Sequence, residues 1–264
     1  MQVKFKLSFM MDQHNMRGRR RGRALLQTFS TFAAGFFCAW LFIRAPWLKE
    51  GRKVGVVFGD SITQHGFVTT DGSIGWVGRL SNHFSRRMDI FNRGFSGYTT
   101  RDAIAIWPTI AHTLPPKLDL VVIFFGANDA ILHGAGPQSV ELHEFSSNLE
   151  RIVSLVGTRN TNVVLVTPPP IYDVDLQERN RARAKPVLLD RTNDNTKKYA
   201  DAVVQVGTRL SVPVVDLFHL ALPNPKSILS DGLHLNAPGN ELLYKILLVE
   251  LERLGLDNLK RDFE

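Results

Sequence analysis

The chain has 264 residues, enough for one sizeable domain with an appendage. Its apolar fraction of 44% and charged fraction of 22% exclude a disordered polypeptide. The net charge of +7 would suit a nucleic-acid partner, but residues 1–52 hold ten Lys and Arg against two acids and the remainder 22 against 23. The body is therefore close to neutral, and no nucleic-acid partner is expected.

Residues 1–23 form a basic segment carrying Lys4, Lys6 and the cluster Arg17, Arg19, Arg20, Arg21 and Arg23. Residues 24–43, ALLQTFSTFAAGFFCAWLFI, hold no charge. As a helix this stretch would reach roughly 30 Å, the thickness of a bilayer's hydrocarbon core. Basic residues on its N-terminal side predict a single-pass anchor with a cytoplasmic N-terminus and the catalytic domain on the far side of the membrane. The alternatives are a cleaved signal peptide and a presequence removed in a mitochondrion or another organelle. The single cysteine, Cys38, lies in this stretch, so the body has no disulfide to form.

The body, residues 53–264, alternates two periodicities. VGVVF (54–58) is a short β-branched run ending at Gly59-Asp60. Helical spacing follows over 74–88, then a strand at 89–92 and a helix over 100–114, closed by Pro115-Pro116. LDLVVIFFG (118–126) is the most apolar strand candidate, and 138–157 is an amphipathic helix. NVVLVTPPP (162–170) reads as a strand stopped by prolines. A charged stretch from Asp173 to Lys198 has weak periodicity and reads as a surface excursion or lid. A helix over 199–210, a strand over 212–218 and a helix over 239–254 complete the chain. Strands apolar on both faces and separated by helices predict one doubly wound α/β domain on a parallel sheet.

In such sheets, sites form beyond the carboxyl ends of the strands. Those loops read Gly59-Asp60-Ser61, Asn92-Arg93-Gly94-Phe95-Ser96-Gly97, Gly126-Ala127-Asn128-Asp129 and, further on, Asp231-Gly232-Leu233-His234. Together they hold what acyl transfer requires. Ser61 is a nucleophile once a base takes its proton, His234 suits that task, and Asp231 can orient the imidazole. The backbone N–H groups of Ser61 and Gly94 and the Asn128 amide would supply an oxyanion hole. Asp60 and Asp129 read as structural supports. His65 competes with His234 as base but reads better as a pocket-wall or surface residue. Phe67, Phe95 and Trp107 either line an acyl pocket or pack in the core. The remaining histidines lack ligand spacing, so no metal is expected.

The blocks FGDSITQ, NRGFSG, GANDA and SDGLHL, in that order, resemble those of the SGNH (GDSL) hydrolase family. VTPPP (166–170), RTNDNTKKYA (191–200) and SDGLHLNAPGNELL (230–243) further resemble its isoamyl acetate-hydrolysing esterase branch. The resemblance implies a flavodoxin-like sheet and a serine esterase needing no cofactor, acting on a small-molecule carboxylic ester. It carries the family's serine, glycine, asparagine, aspartate and histidine onto Ser61, Gly94, Asn128, Asp231 and His234. Position 63 is Thr, so the G-x-S-x-G elbow of the α/β-hydrolases is absent. Short-chain acyl ester hydrolysis is the first expectation. The same residues could serve a lysophospholipase, thioesterase or acyltransferase, and a catalytically silent, membrane-anchored binding protein is a distant third.

Overall fold

A strand that is apolar on both faces is stable only when covered on both. The run at 54–58 meets that condition on an interior strand of the sheet. The computed structural model describes residues 52–256, apart from 70, 158, 159, 186 and 188. Within them, β1 (Lys53–Gly59), β2 (Met88–Gly94), β3 (Leu120–Phe124), β4 (Asn162–Val166) and β5 (Val214–Val215) form one parallel sheet. Their order is β2-β1-β3-β4-β5, the flavodoxin-like arrangement.

Alternating side chains of one strand enter opposite cores, because Cβ directions alternate along a strand. Val57 joins Val122, Phe124 and Val164 on one face, beneath α2 (Trp76–His83) and α8 (Ala237–Arg253). Val56 and Phe58 join Val121 and Ile123 on the other. There the cover comes from α3 (Thr100–Ala111), α4 (Leu142–Val156) and α6 (Asn193–Leu210). The short helices α1 (Ser61–Gln64), α5 (Asp173–Ala182) and α7 (Leu217–Ala221) belong to the loops.

Three boundaries differ from expectation for local reasons. The helix expected over 74–88 is confined to α2, since Ile74 bridges Val68 in an antiparallel pair and β2 begins at Met88. The expected strand over 212–218 shrinks to β5 because Asp216 caps α7, accepting from the His219 N–H at 3.2 Å. The charged excursion carries α5 and the first turns of α6, which Thr192 starts by accepting from Asn195 N–H at 3.2 Å.

The expected single-pass membrane anchor, with the N-terminus cytoplasmic and the catalytic domain beyond the membrane, is corrected. Among the described residues no helix is long and apolar enough to cross a membrane. The longest, α6 and α8, fall short of the ~20 apolar residues required and carry charges such as Lys197, Asp201, Lys245 and Glu250. The basic segment 1–23 and the apolar segment 24–43 lie outside the described residues.

Candidate active site

The sheet register brings the first three loops together. β1 lies between β2 and β3, and Gly59 is level with Gly94 on one side and Phe124 on the other. Ser61, Gly94 and Asn128 therefore leave three neighbouring strands at the same edge. Asp60, rather than Ser61, caps α1: its Oδ1 accepts from Ile62 N–H at 2.9 Å. Ser61 is thus the first residue of a helix, where backbone N–H groups lack intrahelical partners. It is 6% exposed.

His234 and Asp231 arrive from a different part of the chain. Leu229 and Leu235 form an antiparallel bridge, and Ser230 N–H donates to His234 O at 2.9 Å, so residues 230–234 make a tight loop. Gly232 within it has φ +76 and packs directly on α5. A Cβ there would lie 2.3 Å from Leu176 N and 2.5 Å from Tyr172 O. Asp231 Oδ1 accepts from the backbone N–H of His234 at 2.8 Å and of Leu233 at 3.2 Å, folding its own turn. Its Oδ2 meets His234 Nδ1 at 2.8 Å, and His234 Nε2 meets Ser61 Oγ at 2.8 Å. A continuous carboxylate–imidazole–hydroxyl chain results.

The charged excursion supports this loop. Arg179 of α5 places Nε 2.9 Å from Asp231 Oδ2, as an ion pair rather than a directed hydrogen bond. Burial alone would raise the Asp231 pKa. The hydrogen bonds and charge of His234, joined by the charge of Arg179, outweigh it and hold the carboxyl well below its usual range.

The three expected oxyanion donors sit in different states. The Ser61 N–H is at the start of α1. Gly94 N–H donates to Asn92 Oδ1 at 2.8 Å, while Asn92 Nδ2 donates to Thr63 O at 2.8 Å, tying β2 to α1. The contact there is so close that a Cβ on Gly94 would lie 2.0 Å from Gln64 N. Asn128 Nδ2 donates to Tyr98 O at 2.9 Å, and its Oδ1 accepts from Arg191 Nη2 at 3.1 Å.

Two further carboxylates are buried beside the site. Burial pushes Asp60 up to about 7, against the Ile62 hydrogen bond and with the charge of Asp129 adding to the rise. Burial also lifts Asp129 to about 6, against two hydrogen bonds from Thr100 that anchor the start of α3. Neither touches Ser61 or His234 by hydrogen bond.

His65 meets the His234 ring edge-to-face with centroids 6.0 Å apart. It lines a cavity of about 270 Å³ with Ile62, Arg183, Ser230, His234 and Leu235. Phe67 is 41% exposed, Phe95 stacks on Tyr98, and Trp107 is buried against Phe58 in the core. Among the described residues no three His, Cys, Asp or Glu side chains cluster as metal ligands.

Arg179, Arg191 and Asn92 were not singled out from the sequence. Arg191 opens the RTNDN stretch, and that stretch clamps the site loops. Arg191 Nε donates to Ala127 O at 2.7 Å, Asn195 Nδ2 to Ala130 O at 2.9 Å, and Asn193 bonds both the N–H and C=O of Ile171. The clustering of amide side chains in the first turn of α6 was an available signal.

Comparison with known proteins agrees with this architecture. The profile of the GDSL-like lipase/acylhydrolase family matches residues 57–242. A mouse protein, isoamyl acetate-hydrolyzing esterase 1 homolog, is 38% identical over 207 residues, covering 75% of this chain and 81% of that protein. The Saccharomyces cerevisiae isoamyl acetate-hydrolyzing esterase is 34% identical over 206 residues, covering 75% and 85%. The crystal structure of a lipase/acylhydrolase from Enterococcus faecalis superposes with a TM-score of 0.59 at 28% identity, covering 75% of this chain and 95% of that one.

Proposed function

We propose that this chain, which belongs to the GDSL-like lipase/acylhydrolase family and is a carboxylic ester hydrolase, cleaves short-chain acyl esters through an acyl-Ser61 intermediate. The observation that carries this reading is the unbroken chain from Asp231 through His234 to Ser61, with both links at 2.8 Å. In it, His234 Nε2 accepts the Ser61 hydroxyl proton as Oγ attacks the ester carbonyl. Asp231 keeps Nδ1 protonated and stabilises the imidazolium. The tetrahedral oxyanion takes hydrogen bonds from the Ser61 N–H and Asn128 Nδ2, and from Gly94 N–H once it releases Asn92. His234 then gives its proton to the departing alkoxide, and an activated water reverses the sequence to free the acid.

Size supports a small substrate. The cavity against His234, about 270 Å³, lies at the lower edge of the ~300–1,000 Å³ usual for drug-sized ligands. It borders the ring that must protonate the alkoxide, so it takes the alcohol portion of the ester. The mouse and yeast relatives are named for isoamyl acetate, a short acyl ester of a small branched alcohol, and the proposed substrates are of that class.

The test is hydrolysis of p-nitrophenyl esters from acetyl to long-chain acyl by the full-length chain. Ser61→Ala and His234→Ala should each abolish turnover, and Asp231→Asn should fall less far. Turnover near wild type in Ser61→Ala would refute the nucleophile. Preference for long acyl chains, or for alcoholysis over hydrolysis, would favour a lysophospholipase or an acyltransferase instead.

A further inference from the structure

Arg191 is 3% exposed, an unusual place for a guanidinium without a task. Each of its three nitrogens has a different acceptor. Nε donates to Ala127 O at 2.7 Å, Nη1 to Asp190 Oδ1 at 2.9 Å and Nη2 to Asn128 Oδ1 at 3.1 Å. Asp190 is buried as well and also pairs with Lys185 at 2.9 Å. Asp190 thereby balances the charge, and the bonds of Nε and Nη1 hold the planar fork in place for Asn128. We infer that Arg191 is a positioning residue for the oxyanion hole, fixing which way the Asn128 amide faces. This rests on the proposed reading of Asn128 as an oxyanion donor.

An asparagine side chain can flip, exchanging a carbonyl acceptor for an NH₂ group of similar shape. Only its partners decide the orientation. Here the carbonyl faces a cationic donor, Arg191, and the amide nitrogen faces a backbone acceptor, Tyr98 O, at 2.9 Å. Flipping would set N–H against N–H at Arg191 and oxygen against oxygen at Tyr98, so both contacts turn repulsive together. An amide carries two N–H bonds, and one is committed to Tyr98. The second is therefore held where the reaction can use it, without reorganisation as charge develops. The guanidinium also polarises the amide through its carbonyl, which strengthens the N–H as a donor to a negative oxygen. Lysine cannot replace this arrangement, because a single ammonium lacks a planar fork for three fixed acceptors.

The experiment is a double-mutant cycle on the full-length chain, with kcat and KM for p-nitrophenyl acetate and the unfolding temperature measured for each variant. Arg191→Met should lower kcat by roughly 10–10²-fold, up to the loss from deleting an oxyanion donor, with KM nearly unchanged. In an Asn128→Ala background the same change should cost almost nothing more, because the two residues act as one unit. Arg191→Lys, which keeps the charge beside Asp190, should recover the unfolding temperature but not kcat, and it carries the comparison if Arg191→Met does not fold. Losses that multiply in the double variant, an unchanged kcat in Arg191→Met, or full rescue of kcat by lysine would each overturn the inference. An Asn128→Ala variant with wild-type kcat would instead remove the donor reading on which it stands.

Discussion

Asp60 offers a sharp test of how the site is built, because its carboxyl is buried at the end of β1 and held at a pKa of about 7 instead of its ordinary 3.8. The perturbation is Asp60→Asn, which keeps an oxygen for the Ile62 N–H and remains a favoured helix cap but never ionises. Below about pH 4 both folded and unfolded wild-type chains hold the Asp60 proton, and the residue has no pH-dependent effect. Between about pH 4 and 7 the unfolded chain releases that proton while the folded chain retains it, so wild-type stability falls as pH rises. The fall is about 1.4 kcal/mol per pH unit and about 4 kcal/mol in all by neutral pH. Asp60→Asn lacks this fall, and residues that do not interact with Asp60 cancel in the difference. Urea denaturation of both proteins from pH 4.5 to 8.5 should therefore show the variant gaining on wild type as pH rises, then levelling above pH 7. Parallel stability curves, or a wild type that gains on the variant with pH, would refute the assignment of a protonated Asp60. Ser61 in the variant should still be labelled by a fluorophosphonate, since the cap that starts α1 is preserved.

Two further perturbations probe the elements that hold the site. Gly94→Ala would put a Cβ 2.0 Å from Gln64 N, pushing against the helix that carries Ser61. Both the unfolding temperature and kcat should drop, and a variant unchanged in both would show that β2 and α1 do not approach this closely. Arg179→Met removes the cation beside Asp231 and should lower kcat roughly tenfold, short of the ~10²–10⁴-fold effect of losing a general base. The Asp231 carboxyl, held low in the folded chain, contributes stability above the ordinary carboxylate range and loses it as pH falls. Without Arg179 the folded-state carboxyl lies closer to its ordinary value and contributes less stability at every pH where it is ionised, so the acid-unfolding midpoint should move upward; an unmoved midpoint with full activity would exclude the pairing.

The candidate site residues were legible because each stands at the end of an apolar strand or in a short loop. A run such as residues 54–58 needs only its own composition to announce a doubly covered strand, and Ser61 follows it directly. The alternation of strands and helices, and with it the parallel sheet, is likewise carried by local periodicity. The stretch from Asp173 to Lys198 was misleading for the same reason. Charged residues in weak periodicity read as a surface excursion or lid, yet Arg179 is largely buried against Asp231 and Lys185 pairs with buried Asp190.

By itself the sequence determined which residues could act and the kind of sheet that would present them. Strand identity and turn position are short-range properties, set by side chains within a few residues of each other. Tertiary structure decided the rest: the order β2-β1-β3 that aligns three loop ends, the loop that sets His234 against Ser61, and the orientation of the Asn128 amide. Arg191 reaches acceptors 63 and 64 residues earlier in the chain. Whether a guanidinium is solvated or buried against such partners depends on where the folded chain brings them, and no local pattern of residues records that.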